Sequence, residues 1–421
     1  MTGLIDRLRK IPGEVLYLFL AMGITLLGDS SLYVLLPIYA KEIGIPVAAV
    51  GVLLSINRFI RLGTNQFVSK LYSKIGSHRL FLVSVILAGI TTFLYGLPVG
   101  FVIFLISRAV WGGCWSSMRL VCFIKISENS DESSRGIVTG IFNSIVRIGS
   151  LVATLLGGVF AELAGYRNTY YIFGLLTLAV CVPLTVLSAR QAGSNDVMEL
   201  DEELEAQDED TNISNRKGKT EVGLKSVYSM SFLGYWISGG LLSTTIGYIL
   251  MTRFGTSISI LGLSIGIALI TSLLTSLKWV YGISLPVVAG RLSARYGRLT
   301  LVTFSSVTLV LSLVSIALVK SFYGLSLAII AAFAASTVLN SVLDILAVDH
   351  HSITENGNIL GHYMTCGDLG AAFGAVAGYS LAVALGYSNV YIVSAAALVL
   401  IFTAASGIIP NRLFSKQKMN I

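Results

Sequence analysis

The sequence predicts an all-α, polytopic membrane protein with twelve transmembrane helices in two pseudo-symmetric six-helix bundles. Of its 421 residues, 54% are hydrophobic and only 12% are charged, a balance outside the range of soluble globular domains. Uncharged runs such as 80–98 and 299–319 reach the roughly 20 residues that a helix needs to cross a bilayer. The second half of the sequence also repeats features of the first half. Because lipid cannot hydrogen-bond to exposed peptide groups, continuous apolar runs of this length are predicted to be helices.

Breaks at glycine, proline and clusters of charge define the individual spans. The twelve predicted spans are 15–39, 48–72, 80–98, 101–124, 136–161, 168–188, 226–250, 257–289, 298–319, 322–347, 357–384 and 388–409. Arg7, Arg9 and Lys10 precede an apolar run that is too long for the apolar region of a signal peptide and lacks a small-residue cleavage pattern. We therefore predict that this run is retained as the first span.

Lysine and arginine residues lie mostly on one side of the predicted membrane. With the N-terminus inside, the other side carries only Lys41, Arg167, Arg253 and Lys320. This bias predicts that both termini are cytoplasmic. The net charge of +7 is then a signal of orientation, and no nucleic-acid partner is predicted.

An acidic stretch without basic residues runs from 191 to 215, between spans six and seven. Its composition is typical of a solvated linker. It predicts an N-terminal bundle at 1–190, an acidic cytoplasmic linker at 191–224 and a C-terminal bundle at 225–421. An inert tether is favoured over a regulatory segment.

An internal repeat relates the two halves at an offset of 221 residues, the separation of Gly157 from Gly378. The same offset superposes further pairs in order: Gly76 and Gly297, Gly140 and Gly361, Arg147 and Asp368, Gly149 and Gly370, Gly165 and Gly386, Tyr170 and Tyr391. Upstream, Gly44 with Gly255 and Gly51 with Gly262 give an offset of 211, which predicts about ten extra residues in span eight. Two related six-helix halves are the parallel-repeat plan of many secondary transporters.

The two-by-six plan with a central acidic linker resembles the major facilitator superfamily along essentially the whole chain. The family's loop between helices two and three carries two glycines, an aspartate and several basic residues. The loop from Ser69 to Arg79 keeps Gly76 and Arg79, with Ser73 at the aspartate position. The repeat copy keeps the residues Gly290, Arg295, Gly297 and Arg298. The resemblance implies that both segments are cytoplasmic gating loops.

Three further motifs refine the resemblance. Arg108 to Gly112 is similar to the family's Arg-x-x-Gln-Gly motif, whose arginine is linked to proton coupling, although Trp111 replaces the glutamine. Span five carries Gly149, Gly157 and Gly158 with the spacing of the exporter motif, whose central Gly-Pro is absent. Asp29, eight residues before Pro37, resembles the drug:proton antiporter branch. Together they favour export in exchange for protons.

Nine charged residues fall inside predicted spans: Asp29, Arg58, Arg61, Arg108, Arg119, Arg147, Lys278, Asp344 and Asp368. An unpaired charge at the bilayer centre costs about 2.5–3.5 kcal/mol on insertion scales, so these residues are expected to face a cavity or a partner. The alternative for any one of them is an ion pair that only locks helices together. Arg119 has the further alternative of extending to the interface.

Asp29 is the predicted proton site and Arg108 its predicted partner, since the resemblance places spans one and four around the central cavity. Protonation of Asp29 would release Arg108 and favour a different open face. Asp29→Asn is then predicted to uncouple transport without unfolding the protein.

The remaining intramembrane charges are assigned to substrate binding or gating. The family packs helix two against helix eleven, which predicts a pair between Asp368 and Arg61 or Arg58. At the opposite interface, Arg147 and Lys278 are both cationic. The predicted spans together contain six cations and three carboxylates, Asp29, Asp344 and Asp368. This excess of positive charge predicts a substrate that carries a carboxylate or another negative group.

Other chemistries lack the necessary residues. The four cysteines have neither disulfide nor zinc spacing, and the sequence contains no Walker loop and no His-Glu-x-x-His. Gly28-Asp29-Ser30 superficially resembles a hydrolase motif but lies within a span. No enzyme activity, cofactor or metal is therefore predicted.

The Asp349-His350-His351 segment is interpreted as a solvated loop, with a pH-sensitive or metal-binding role as the alternative. His362 stays unassigned.

The sequence as a whole predicts a secondary active transporter that exports a small organic solute by proton antiport. Proton-coupled uptake and a transporter-like sensor that binds without transporting are the alternatives. The predicted partners are a small-molecule substrate, protons and the lipid bilayer. We predict a monomer in a bacterial cytoplasmic membrane.

Overall fold

The protein is an assembly of long apolar helices. The computed structural model describes residues 12–98, 100–130, 132–183, 221–260, 262–354 and 358–408. The helices of the first half are α1 (Gly13–Tyr39), α2 (Val50–Ile75), α3 (Ser77–Leu94), α4 (Gly100–Glu128), α5 (Glu132–Ala164) and α6 (Tyr166–Ala179). A short 3-10 turn, Val47–Ala49, precedes α2.

The later part of the chain adds seven helices and a small hairpin. These helices are α7 (Glu221–Tyr235), α8 (Ser243–Phe254), α9 (Ile267–Tyr296), α10 (Arg298–Leu318), α11 (Phe322–Thr354), α12 (Asn358–Leu385) and α13 (Tyr387–Ile408). A π-helix, Trp236–Leu242, joins α7 to α8, so the two form one interrupted span. Each predicted span overlaps a described helix or, for span seven, this interrupted pair, and the all-α polytopic fold class is confirmed.

Length and composition make nine of the described helices long and apolar enough to cross a membrane. The predicted spans outside this group are α6, the interrupted pair α7 and α8, and the shorter apolar helix Tyr387–Thr403. Several helices present large aliphatic side chains on the outside of the structure, among them Val102, Ile106, Leu311, Leu327 and Leu400. Exposed apolar surface of this extent indicates contact with lipid.

The predicted start of span eight, residue 257, is wrong by ten residues. Ser257–Ile260 and Leu263–Gly266 form an antiparallel hairpin, and α9 begins only at Ile267. The ten extra residues inferred from the repeat are therefore this hairpin and not part of the span. Gly262, at positive φ within the hairpin, is not the counterpart of the helical Gly51. The Gly44 and Gly255 match is consistent with the structure, since both glycines have positive φ shortly after the end of a helix.

Contacts divide the chain into two compact units. The first contains the described residues up to 183 together with Leu250–Trp279, and the second contains 221–249 together with 280–408. Helix α9 thus contributes its first part to the first unit. Most of the predicted linker lies outside the described residues, with Glu221 already in α7. The domain division at 190 and 225 stays a prediction.

Helix packing follows the repeat within each unit. In the first unit, α1 packs on α5 and α3 packs on both α4 and α6; in the second, α7 packs on α12 and α10 packs on both α11 and α13. Equivalent tyrosines also have equivalent partners. The hydroxyl oxygen of Tyr170 lies 3.4 Å from Oγ of Ser31 on α1. The hydroxyl oxygen of Tyr391 lies 2.7 Å from Oγ1 of Thr245 on α8.

Glycines set the closest helix contacts, and Gly149 on α5 is the clearest case. A Cβ on Gly149 would lie 2.6 Å from the carbonyl oxygen of Gly23 on α1, which is backbone and cannot move independently. Its repeat equivalent Gly370 lies equally close to the backbone of Phe232 on α7. Gly157 packs against Ser31 of α1, and Gly158 against Ser272 of α9. The three helix-five glycines are therefore positions of close helix packing.

Gly149→Ala is expected to lower the free energy of unfolding by about 1–3 kcal/mol, because the added methyl group forces α1 away from α5. Gly140→Ala on the same helix is the matched control, since a Cβ there meets nothing within 4 Å. It is expected to raise stability by up to about 1 kcal/mol through helix propensity. Denaturant unfolding of the purified protein in detergent measures both. A Gly149→Ala protein as stable as the Gly140→Ala protein would contradict the packing role.

Candidate functional site

The structure brings the predicted proton site and its predicted partner into direct contact. Asp29 lies in the middle of α1 and Arg108 in the first half of α4. Nη1 of Arg108 lies 2.5 Å from Oδ1 of Asp29, and the arginine side chain is fully buried. This is a buried ion pair in the interior of the first unit.

Two groups from α2 add hydrogen bonds to the pair, while Nη2 of Arg108 is buried without a hydrogen-bond partner. Nε of Arg108 donates to the carbonyl oxygen of Leu53 at 3.0 Å. Nδ2 of Asn57 donates to Oδ1 of Asp29 at 3.1 Å. A buried charge pair is stable only when its remaining donors and acceptors find such partners. The α2 contacts therefore hold both members of the pair in place.

Small residues explain why three helices meet at this point. Gly112 of α4 lies against the backbone of Asn57 on α2, where a Cβ would be only 2.6 Å from the carbonyl oxygen. One helical turn earlier on each helix, Arg108 reaches the carbonyl of Leu53. Gly28, next to Asp29, packs against Thr92 of α3 with no space for a Cβ. The chain thus places its glycines beside its buried charges.

Aromatic rings surround the guanidinium of Arg108. Its Cζ lies 5.9 Å from the ring centres of Tyr33 and Trp111 and 6.0 Å from that of Tyr95. Cation–π contacts of this kind stabilise a desolvated arginine. Trp111, at the glutamine position of the family motif, is one of these rings.

A second group of cations lies beside this pair. Cζ of Arg58 lies 5.5 Å from the ring centre of Tyr33, on the same ring that Arg108 approaches. Nη1 of Arg58 is buried and has no hydrogen-bond partner. Nζ of Lys278 on α9 lies 5.2 Å from the ring centre of Trp279. Nε1 of Trp279 donates to Thr154 of α5 at 3.2 Å.

The second unit contains a polar contact of its own. The hydroxyl of Tyr363 on α12 donates to Oδ1 of Asp344 on α11 at 2.6 Å. One turn earlier on α11, Nδ2 of Asn340 donates to the hydroxyl of Ser238 in the π-helix at 3.1 Å. Asp344 is exposed, whereas Tyr363 is buried. This cluster links three spans.

The predicted gating loops form helix starts. Gly76 and Gly297 have φ values of 77° and 91° and precede α3 and α10. Only glycine adopts this conformation without strain. Arg79 is exposed, Arg298 is half-buried, and Cζ of Arg295 lies 5.3 Å from the ring centre of Tyr296. Gly290 has open space around it.

Beside Gly76, Nε2 of His78 lies 2.7 Å from Oε1 of Glu14 at the start of α1.

The structure also gives the positions of other predicted site residues within their own helices. Arg147 and Asp368 are exposed on α5 and α12, and Arg61 is half-buried on α2. The predicted pairing of Asp368 with Arg58 or Arg61 joins the two units and stays a prediction. The side chains of Asp349, His350 and His351 lie outside the described residues. His362 is exposed, with its ring 6.4 Å from that of Tyr228. The described residues contain no group of three or more His, Cys, Asp or Glu suited to a metal ion.

Sequence reasoning missed Asn57, the carbonyl of Leu53 and the hydrogen bond of Tyr363 to Asp344. Of these three, only Asn57 could have been recognised from the sequence, because it is a polar residue beside Arg58 within an apolar span. A peptide carbonyl carries no such signal, and the partner of Tyr363 depends on how two distant spans pack.

A repeated set of spanning helices with a buried carboxylate–arginine pair is typical of secondary-transporter membrane proteins. The chain belongs to the Major Facilitator Superfamily, whose family model matches residues 18–277 and 224–417. It is therefore an integral membrane protein of a transporter family, and not of an enzyme family.

Curated relatives match part of the chain. The Quinolone resistance protein NorA of Staphylococcus aureus is 21% identical over 174 residues, which are 41% of this chain and 45% of that protein. An uncharacterized MFS-type transporter of Methanocaldococcus jannaschii is 23% identical over 173 residues, again 41% and 45% of the two chains. The match thus spans less than half the length of each relative.

Solved structures match the fold along almost the whole chain. A POT family transporter in complex with 5-aminolevulinic acid aligns with a TM-score of 0.70 at 13% identity, covering 94% of this chain and 97% of the other. A bacterial homolog of the human lysosomal transporter Spinster aligns with a TM-score of 0.70 at 12% identity, covering 94% and 96%. At these identities the likeness defines the fold alone.

Proposed function

We propose that the protein is a proton-coupled secondary transporter that exports a small organic solute, anionic or zwitterionic, by alternating access. The buried pair of Asp29 and Arg108 is the observation that carries this proposal. It is a titratable carboxyl held against a fixed cation in the interior of a membrane protein. Intramembrane ionisable residues of this kind are typical of proton pathways.

The proposed coupling follows from the contacts of the pair. A proton on Asp29 removes the negative charge that attracts Arg108, while the Leu53 carbonyl and the aromatic rings keep the guanidinium in place. The energy that holds α1 to α4 then changes with protonation. A proton can shift the balance between two conformations only if it binds one of them more tightly than the other. In this proposal, the interaction between Asp29 and Arg108 provides that difference in binding energy.

Two observations support export over uptake. The partial relative from Staphylococcus aureus is named a quinolone resistance protein. Gly149, Gly157 and Gly158 have the spacing of the exporter motif and form close helix contacts. Proton-coupled uptake is the second candidate, and the excess of cations near Asp29 favours it. An anion bound there would favour the neutral form of Asp29 and so would bind together with the proton.

The setting of the proposal is a bacterial cytoplasmic membrane, with both termini in the cytoplasm and one chain as the working unit. The uneven distribution of lysine and arginine supports this orientation. A transporter-like sensor remains the alternative to a carrier. Solute flux in vesicles separates the two, since a sensor binds without moving its ligand.

The test combines metabolite profiling with reconstituted flux. Cells with and without the protein are compared by untargeted measurement of intracellular and extracellular pools, and a solute that changes is then assayed in proteoliposomes under an imposed pH gradient. Export predicts extracellular enrichment only when the protein is present, with solute moving against the proton flow. Intracellular enrichment would support uptake. No change in any pool, together with no gradient-driven flux, would contradict transport.

A further inference from the structure

The inference concerns four tyrosines of the first unit, which we call the tyrosine column: Tyr39, Tyr166, Tyr170 and Tyr95. The ring centres of Tyr39 and Tyr166 lie 5.5 Å apart, and those of Tyr166 and Tyr170 lie 4.7 Å apart. The ring centre of Tyr95 lies 5.9 Å from that of Tyr170 and 6.0 Å from Cζ of Arg108. The four rings therefore form a continuous line of contacts that ends at the guanidinium of the buried pair.

The other end of the column lies where α1 ends and α6 begins. Tyr39 is the last residue of α1 and is half-buried, and Tyr166 is the first residue of α6. Asp29 precedes Tyr39 by ten residues of helix, about 15 Å at 1.5 Å per residue. The hydroxyl oxygen of Tyr170 lies 3.4 Å from Oγ of Ser31, two residues after Asp29. The column thus reaches from a helix end to both members of the pair.

Two hydroxyl groups of the column are buried without hydrogen-bond partners among the described residues. They belong to Tyr95 and Tyr166, and Nη2 of Arg108 is in the same condition. A buried polar group without a partner costs stability. Such groups in proteins are commonly hydrogen-bonded to internal water molecules, each of which satisfies several of them. Unpartnered groups along one line of contacts therefore indicate sites for water beside the rings.

The second half of the chain shows that packing alone does not require these polar groups. At the repeat offset of 221, the positions of Tyr95 and Arg108 are occupied by Ile316 and Ile329. Both isoleucines are fully buried. The same helix arrangement is therefore compatible with apolar side chains at the two positions. The polar groups occur in the half that contains the buried carboxylate.

We propose that the tyrosine column, together with water, is a proton path that connects Asp29 to the surface at the end of α1. A phenol hydroxyl both donates and accepts a hydrogen bond. Each oxygen can accept a proton on one side and release its own on the other, so one proton enters at Tyr39 and one arrives at the carboxylate of Asp29. No tyrosine changes its charge overall.

The direction of the path follows from the predicted orientation of the chain. With both termini in the cytoplasm, the end of α1 lies on the outer face, from which protons enter during export. This direction and the coupling to a solute rest on the proposed function. The access of water and protons to Asp29 does not.

The first experiment tests for water by X-ray footprinting of the full chain in lipid nanodiscs. Radiolysis of bound water produces hydroxyl radicals that oxidise neighbouring side chains, and mass spectrometry locates the added oxygen. Tyr95 and Tyr166 are expected to be oxidised although both are buried. Tyr391 is the matched control, because it is fully buried and its hydroxyl has a partner in Thr245. Oxidation of Tyr95 and Tyr166 no greater than that of Tyr391 would overturn the hydrated path.

The second experiment measures how fast a proton reaches Asp29, by stopped-flow tryptophan fluorescence after a rapid drop in pH. Trp111 lies 5.9 Å from Cζ of Arg108, and its ring stacks on Trp115 at 5.8 Å. Its emission is therefore expected to respond to the charge of the pair. The component that is present in the parent protein and absent from Asp29→Asn reports the protonation of Asp29. A response of Asp29→Asn identical to that of the parent would overturn the proposal.

The same measurement assigns the path to the tyrosine hydroxyls. Tyr95→Phe and Tyr170→Phe keep the rings and remove only the hydroxyls. Each is expected to slow protonation of Asp29 about tenfold, because the barrier rises by the energy of about one hydrogen bond. Tyr391→Phe, the repeat equivalent of Tyr170→Phe, is expected to leave the rate unchanged. Parent rates in both Tyr95→Phe and Tyr170→Phe would overturn the path, as would equal slowing in all three variants.

Stability separates a hydrated hydroxyl from one that is only packed. Removal of a dry, unpartnered hydroxyl raises the free energy of unfolding, whereas removal of one that binds water does not. Tyr166→Phe is therefore expected to be no more stable than the parent protein in denaturant unfolding. A clearly more stable Tyr166→Phe protein would contradict hydration at this position.

The outcomes also separate the path from the proposed function, because none of these measurements needs a solute. Protonation of Asp29 that is slowed in Tyr95→Phe and Tyr170→Phe, without gradient-driven flux of any solute, would support the path and contradict transport. Gradient-driven flux together with parent rates of protonation in both variants would contradict the path and support transport.

Discussion

Asp29→Asn is expected to abolish accumulation of solute driven by a pH gradient while the protein stays folded. Asparagine has the shape of a protonated aspartate but cannot release a proton. Its side-chain oxygen still accepts from Arg108, which also keeps the carbonyl of Leu53 and three aromatic rings. The measurement is uptake into proteoliposomes, with and without an imposed gradient.

Exchange of labelled for unlabelled solute at equal pH is the internal control for Asp29→Asn. This exchange needs binding and alternating access but no net proton movement, and it is expected to persist. Asp29→Glu keeps a titratable group and is expected to retain part of the gradient-driven accumulation. Gradient-driven accumulation at the parent level in Asp29→Asn would sink the assignment of Asp29 as the proton site.

Arg108→Gln is expected to be the most destabilising single substitution at the site, at about 3–5 kcal/mol. It leaves the carboxylate of Asp29 in the interior without its cation, and breaking one side of a buried ion pair has a cost of that size. The fully buried guanidinium also fills the space among Tyr33, Tyr95 and Trp111. Denaturant unfolding of the purified protein gives the free energy.

A double-mutant cycle distinguishes lost charge pairing from lost packing. Asp29→Asn combined with Arg108→Gln is expected to recover most of the loss, because the double variant has no uncompensated charge. Arg119→Gln, an exposed cation on the same helix, is expected to change stability by no more than about 0.5 kcal/mol. If the effects of the two substitutions simply add, the pair makes no coupled contribution and the ion-pair account fails.

The pairing of Asp29 with Arg108 was predictable because resemblance places spans one and four around one cavity, and each span carries few charges. The hydrogen bonds of this pair to α2 were not predictable, because one sequence does not reveal which face of an apolar helix points inward. Asp368 was predicted to pair with Arg61 or Arg58, which stays a prediction, and the ring contact of Arg58 with Tyr33 was not foreseen. Such choices depend on packing distances that no local pattern encodes.

The hairpin before α9 illustrates a different limit. The segment from Thr256 to Gly266 is as apolar as its flanks apart from its serines, and short apolar runs do not distinguish strand from helix. The repeat offset nevertheless gave the correct number of extra residues. Gly266 lies against the carboxylate of Glu162 on α5. Comparison of the two halves of the sequence thus gave the length of an insertion that the amino-acid composition of the segment does not indicate.

The π-helix in span seven records a smaller insertion of the same kind. Gly149 and Gly370 contact Gly23 and Phe232, which are 209 residues apart; Gly157 and Gly378 contact Ser31 and Leu241, which are 210 apart. Gly44 and Gly255, after these helices, are 211 apart. Span seven has therefore gained residues relative to span one while keeping the partners of its glycine contacts. The wider turn at Trp236–Leu242 accommodates extra chain within a fixed length of helix, so the two related halves have diverged in winding while preserving their points of contact.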